Sequence, residues 1–302
     1  MPVTLAILAL VFAPAALLFY FFWVRDRWER EPWPLLWALI GLGCLSVIPA
    51  AIIEIAFSGL EFDVKTLGQA FTGAFLVAGL TEETVKFVFV YLYTRRARHF
   101  QEEYDGIMYT VAVGLGFAFL ENILYVGSAL VTGQGSLEIA IARAFTAVPS
   151  HALDGVIMGY FLGRAHFMDD PADKLKANFQ GILYAVLFHG LYDFFAFTLF
   201  VIPENMVGWC VAGLFWTLVV EWGTAHRLVR IAQERSATQH RIHAFPILTA
   251  DAMTTSGETD PSQPEVQIQF HPSTWSRRFC RFCGKPVEPN AQYCRNCGAS
   301  LA

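Results

Sequence analysis

Charged residues are scarce in this sequence: Asp, Glu, Lys and Arg make up 16% of 302 residues, and their formal sum is −5. There is no basic excess with which to hold a phosphate backbone, so a nucleic-acid binder is excluded. The same poverty of charge, beside 27 Phe, 8 Trp and 10 Tyr, excludes a disordered chain. No Lys or Arg precedes the first apolar run, which is long enough to cross a bilayer, so it reads as a retained helix and not as a cleaved signal. Cysteine is almost missing from the body of the chain, where Cys44 and Cys210 sit inside apolar blocks and read as plain core thiols. No His-Glu-x-x-His occurs, so a catalytic metal would have to draw its ligands from separate helices.

What is present is apolar surface in long blocks. A bilayer crossing needs about 20 predominantly apolar residues, and seven blocks reach that length: Val3 to Val24, Pro34 to Phe57, Gly68 to Tyr93, Ile107 to Val131, Ile139 to Gly163, Ala177 to Val201, and Met206 to His226. The expected fold is an all-α, polytopic membrane bundle of about seven helices. Basic residues alternate between the connections. Arg25, Arg27 and Arg30, then Arg95, Arg96 and Arg98, then Arg164, Lys174 and Lys176, then Arg227, Arg230, Arg235 and Arg241 mark one side; the other has Lys65 and little else. Cytoplasmic loops hold the positive charge, which predicts an N-terminus outside and a C-terminus in the cytoplasm.

Three regions are expected: residues 1–228 as the membrane domain, 229–276 as an amphipathic segment and linker, and 277–302 as a small metal-binding tail. Leu228 to Ile242 alternates apolar and basic residues, as either a helix lying on the membrane face or a continuation of the last span. Ser236 to Ser276 turns to Ser, Thr, Gln, Pro and Asp without periodicity, as a linker does. The tail carries Cys280-x-x-Cys283-Gly and Cys294-x-x-Cys297-Gly, whose spacing predicts a closed four-thiolate structural zinc site. Disulfides compete with that reading, but a cytoplasmic tail lies in a reducing compartment. Such a ribbon would present Arg277, Arg278, Arg281 and Arg295 to a cytoplasmic protein partner or to anionic membrane lipid.

Ionisable groups deep in a membrane are costly and mark functional interiors. Block three carries Glu82, Glu83 and Lys86; block four Glu121 and Asn122; block five His151 and Asp154; block six His189 and Asp193. The block midpoints fall near residues 80, 119, 151 and 189. Glu82, Glu83, Glu121, His151 and His189 thus lie within about 4 Å of one depth at 1.5 Å per residue, which favours one shared site. Lys86 is one turn from both Glu82 and Glu83 and can partner either; His151 with Asp154, and His189 with Asp193, are spaced alike. Arg143, near the outer end of block five, is expected to snorkel, and Glu54 and Glu221 to be solvated near helix ends. A carboxylate and two imidazoles can hold one divalent metal beside a water whose proton a further Glu accepts. Proton relays use the same groups, but the transporter reading lacks an internal repeat, and an inactive scaffold has little use for five ionisable groups at one depth.

Glu82-Glu83-x-x-Lys86, Phe117-x-x-x-Glu121-Asn122, Pro149-x-His151 leading to Gly159-Tyr160, and His189-Gly-x-x-Asp193-Phe194 resemble, in order, the motifs of the PrsW family of intramembrane proteases, related to the CAAX-processing and bacteriocin-protection membrane proteases. The resemblance covers roughly residues 25–200. It implies peptide-bond hydrolysis, metallo- or glutamic-type, on membrane-anchored regulators such as anti-sigma factors. By the same resemblance Glu82 or Glu83 would be the base, Glu121, His151 and His189 the metal or water ligands, and Asp193 a supporting group. Asp154 and the tail lie outside the matched motifs.

Overall fold

The computed structural model describes residues 2–28, 30–58, 64–95, 97, 99–133, 135–244, 278–279 and 286–287. It forms two units, residues 1–235 and 236–302. The described helical elements are α1 (Pro2–Trp23), α2 (Trp33–Ser58), α3 (Leu67–Thr72), a π-helical segment (Gly73–Gly79), α4 (Leu80–Thr94), α5 (Glu103–Thr132), α6 (Ser136–Phe145), α7 (Ala147–His166), α8 (Pro171–Thr198), a short 3₁₀ turn (Glu204–Met206) and α9 (Val207–Ala244), all in the first unit but for the end of α9. In the second unit the described strands β1 (Arg278–Phe279) and β2 (Pro286–Val287) pair antiparallel.

All seven apolar blocks fall on helix, but only α1, α2, α5, α8 and the α9 stretch meet the length and apolarity of a span among the described residues. The other two expected spans are interrupted for physical reasons. Block three is helical from Leu67 to Thr94 but changes pitch through Gly73–Gly79 and carries three charges in its second half. Block five breaks at Thr146, whose backbone (φ −126°, ψ −65°) leaves the helical region. Pro149 lies in the first turn of α7, where its missing N–H costs no hydrogen bond; in a continuous helix it would remove one. At the other end α9 runs straight through residue 228 to Ala244, so the amphipathic stretch is a continuation of the last helix and not a separate surface helix.

The arrangement is organised around α5. Its most apolar 18-residue window is 72% buried, against 22–33% in the other four spans, whose Leu, Phe and Trp side chains face outward. Apolar burial gives helices little reason to associate inside a bilayer, so contact depends on small residues and interhelical hydrogen bonds. Both are present on α5. Gly114 lies against the His151 carbonyl of α7, where a Cβ would come within 2.7 Å of the oxygen. Thr110 Oγ1 donates to the Gly155 carbonyl of α7 at 2.6 Å, and Cys44 Sγ of α2 donates to the Gly116 carbonyl at 3.2 Å. On the far side of the site, Gly190 of α8 admits the ring of Phe75 from the π segment where a Cβ would collide with it. These approaches join α5 to α7 and to α2, and α8 to the π segment that leads into α4.

Where α1 ends and α5 begins, four carboxyl groups are buried together: Asp26, Glu31, Glu102 and Asp105. Asp105 and Glu102 form the capping box of α5, with Asp105 Oδ2 accepting the backbone N–H groups of Gln101 at 2.7 Å and Glu102 at 2.9 Å. Tyr109 donates its hydroxyl to Glu31. Asp26, in the loop after α1, is pushed up to about 9 by burial first, and then by the charge and hydrogen bond of Glu102 and the charge of Glu31.

Candidate active site

The first helix of the site begins after a π turn. Such turns insert an extra residue and rotate the helix beyond them; here the rotation is succeeded within one turn by Glu82 and Glu83, both inside the bundle at 6% and 1% exposure. Adjacent helical residues diverge by about 100°, and the two carboxylates make different contacts. Glu83 Oε1 accepts from Lys86 Nζ at 2.7 Å and lies 2.8 Å from His189 Nδ1. Glu82 Oε2 accepts from Lys86 at 3.1 Å and is 3.7 Å from His189 Nε2. Lys86 therefore bonds both acids, where the spacing allowed either. Its Nζ also meets His151 Nδ1 at 3.0 Å and sits 4.1 Å from the centre of the Phe117 ring.

From α5, Glu121 Oε2 reaches His151 Nε2 at 2.9 Å. The same oxygen accepts from Arg143 Nη2 at 2.6 Å, and Arg143 Nε donates to Asn122 Oδ1 at 2.6 Å. Arg143 thus does not snorkel. The break at Thr146 places it on α6, a separate short helix that turns its guanidinium inward onto α5. Sequence reasoning missed this role; the one available signal was Pro149, which marks the start of a new helix.

His189, on α8, is ringed by acids. Besides Glu83 and Glu82, Asp193 Oδ2 lies 3.2 Å from Nε2 and Asp154 Oδ2 3.5 Å from Nδ1. Asp154 therefore faces His189 across the α7–α8 seam rather than its helix neighbour His151. The two imidazoles meet edge to face, their centroids 5.2 Å apart. Glu221, expected near a solvated helix end, is fully buried.

Glu82, Glu83, His151 and His189 offer ligand atoms that all lie within 4.8 Å of one another, the only such group among the described residues. The expected triad Glu121, His151 and His189 differs from this set because Arg143 and His151 already claim Glu121 Oε2. Two imidazoles with two carboxylates, all buried, suit a divalent ion of the zinc type. The Lys86 ammonium now stands where three of those ligands converge, so that contact and a bound ion exclude each other.

A model of the PrsW family of intramembrane metalloproteases matches residues 31–221, which covers every residue of this site. The chain belongs to the PrsW family. Curated relatives agree: it is 38% identical to protease PrsW of Bacillus subtilis (strain 168) over 63% of this chain and 82% of that one. It is 36% identical to protease PrsW of Geobacillus kaustophilus over 73% and 89% of the two chains, and 36% identical to that of Oceanobacillus iheyensis over 69% and 93%. PrsW membership makes the chain an integral membrane protease. A zinc-ribbon model matches residues 279–301. The four cysteines Cys280, Cys283, Cys294 and Cys297 lie outside the described residues. No solved structure matches the chain.

Proposed function

We propose that the chain is an intramembrane endopeptidase that hydrolyses a peptide bond of a membrane-anchored regulatory protein, anti-sigma-factor-like in kind. The observation that carries the reading is the convergence of Glu82, Glu83, His151 and His189 within one buried, hydrogen-bonded group. Glu82, the less tightly held of the two acids, accepts the proton of the attacking water. As the water oxygen bonds to the scissile carbon and the C–N bond breaks, the same proton passes to the departing amine. Glu83, His151 and His189 would hold the ion. When bound, a divalent ion supplies positive charge against the charge developing on the scissile carbonyl. Without the ion Lys86 holds Glu82 and Glu83 in place and would give up Glu83 and His151 to it; Asp193 orients His189, and the Arg143–Glu121 pair orients His151. Cys280, Cys283, Cys294 and Cys297 would bind one structural zinc, in a ribbon offered to a cytoplasmic partner or to lipid.

The test is purified full-length protein in detergent with a peptide bearing one apolar span. Cleavage should occur, stop on removal of divalent metal and return on its addition. An uncleaved peptide in metal-loaded protein would overturn the protease reading, and chelator-resistant cleavage its metal-assisted form. The alternation of basic loops supports an N-terminus outside and a C-terminus in the cytoplasm. Reporter fusions after residues 201 and 241 should then report opposite sides, and agreement between them would refute that orientation.

A further inference from the structure

At the end of the bundle that carries the basic connections, α4, α7 and α8 leave a cavity of about 150 Å³ between them. Its wall includes Arg95 where α4 closes, His166 where α7 closes, and Lys174 and Asn178 in the first turns of α8. No Asp or Glu stands on that wall, and neither Arg95 nor Lys174 has an ion-pair partner among the described residues. His166 is fixed in place: its ring lies flat on the buried Phe100, with centroids 3.9 Å apart and planes 12° from parallel. Three helices thus aim basic groups at one space without a counter-charge.

Such groups repel one another, and the arrangement becomes favourable when an anion enters. Burial first, and then the charge of Lys174, hold the His166 imidazole below its ordinary value, so the repulsion is felt within the wall. Depth narrows the choice of anion. The α8 span begins at Pro171, which puts Lys174 one turn from its end, where headgroup phosphates lie. Tyr91 and Leu162 add apolar surface to the same wall, against which the glycerol carbons of a phosphate ester can rest.

We propose that this cavity binds the phosphate ester of an anionic glycerophospholipid headgroup, held by Arg95, Lys174 and His166 with Asn178 as a further donor. The same three helices carry Glu82, Glu83, His151 and His189, so a bound headgroup ties them together at one end and raises thermal stability. The proposal stands apart from the protease reading and is tested without cleavage. Full-length protein, stripped of lipid in a non-ionic detergent, is titrated with phosphatidylglycerol, phosphatidylcholine or glycerol phosphate and followed by native mass spectrometry and thermal melting. Phosphatidylglycerol should bind at least about tenfold tighter than phosphatidylcholine, whose headgroup has the same phosphate but no net charge. Arg95→Gln with Lys174→Gln should weaken phosphatidylglycerol by about 25-fold, about fivefold for each charge lost, and abolish its effect on the melt. Arg95 is exposed and Lys174 half-buried, so neither change opens the core. Arg95→Lys with Lys174→Arg keeps both charges and should stay within about threefold of wild type. Arg227→Gln with Arg230→Gln removes two exposed cations of α9 and should stay within about twofold. Equal losses in the two glutamine pairs would trace the effect to diffuse charge and overturn the site. Equal binding of the two lipids, or an unweakened Arg95→Gln with Lys174→Gln protein, would overturn it too. Glycerol phosphate bound as tightly as phosphatidylglycerol would assign the cavity to a soluble phosphate ester and overturn the lipid as its source.

Discussion

Replacing Glu82 by Gln should abolish cleavage while leaving the protein folded with an unchanged melting temperature. Replacing Glu83 by Gln should abolish cleavage and lower the melting temperature as well. The difference arises from how the two carboxylates are held. Glu83 Oε1 takes two short contacts, from Lys86 at 2.7 Å and His189 at 2.8 Å, and both are charge-assisted when their partners are ionised. An amide oxygen keeps the shape of those contacts but loses the charge that compensates the buried ammonium, and breaking such a pair costs about 3–5 kcal/mol. Glu82 is bound more loosely, at 3.1 Å from Lys86 and 3.7 Å from His189, which leaves it an oxygen for water. Loss of a general base costs about 10²- to 10⁴-fold in rate. Cleavage rates and thermal melts of the two variants check this directly. Wild-type cleavage by both would remove them from the mechanism, and an equal drop in melting temperature would reject the assignment of Glu82 as base.

Arg143→Lys should lose at least about tenfold in cleavage rate, because an ammonium cannot reproduce a planar two-pronged contact. Arg143 Nη2 and Nε reach Glu121 Oε2 and Asn122 Oδ1, each at 2.6 Å, and the Arg143 and Glu121 side chains are each 15% exposed. Arg143→Met goes further, leaving Glu121 with His151 as its remaining partner in a poorly hydrated place, and both rate and thermal stability should fall. Its effect passes through His151, whose Nε2 shares the same Glu121 oxygen. A snorkelling arginine would give wild-type rates in both variants, which is the outcome that would reject this role.

Much of the site was legible because polarity in an apolar run is conspicuous. Glu82, Glu83, Glu121, His151 and His189 lie near one depth by residue count alone, and the helices do bring them into one group. The facing neighbour of each group could not be read in the same way. Asp154 is one turn from His151, and helical spacing suggests that pair; the packing of α7 against α8 instead turns it to His189. The same limit hid the burial of Glu221, which depends on how α9 packs and which periodicity does not encode. The break between α6 and α7 was masked because the run stays apolar across Thr146, and hydropathy registers composition, not direction. The π turn before Glu82 likewise leaves no trace in a 3.6-residue pattern.

The carboxyl pocket between α1 and α5 gives the membrane domain an uneven tolerance of acid and alkali. Asp26 moves from 3.8 to about 9 on folding. The folded chain therefore binds this proton more tightly than the unfolded chain. The associated stability is complete below about pH 4 and drains away as pH rises through 9. Alkali would place a new negative charge beside Glu102 and Glu31 at the entrance to α5, the helix against which α2 and α7 pack. Unfolding in base should begin from that corner of the bundle, remote from the catalytic layer.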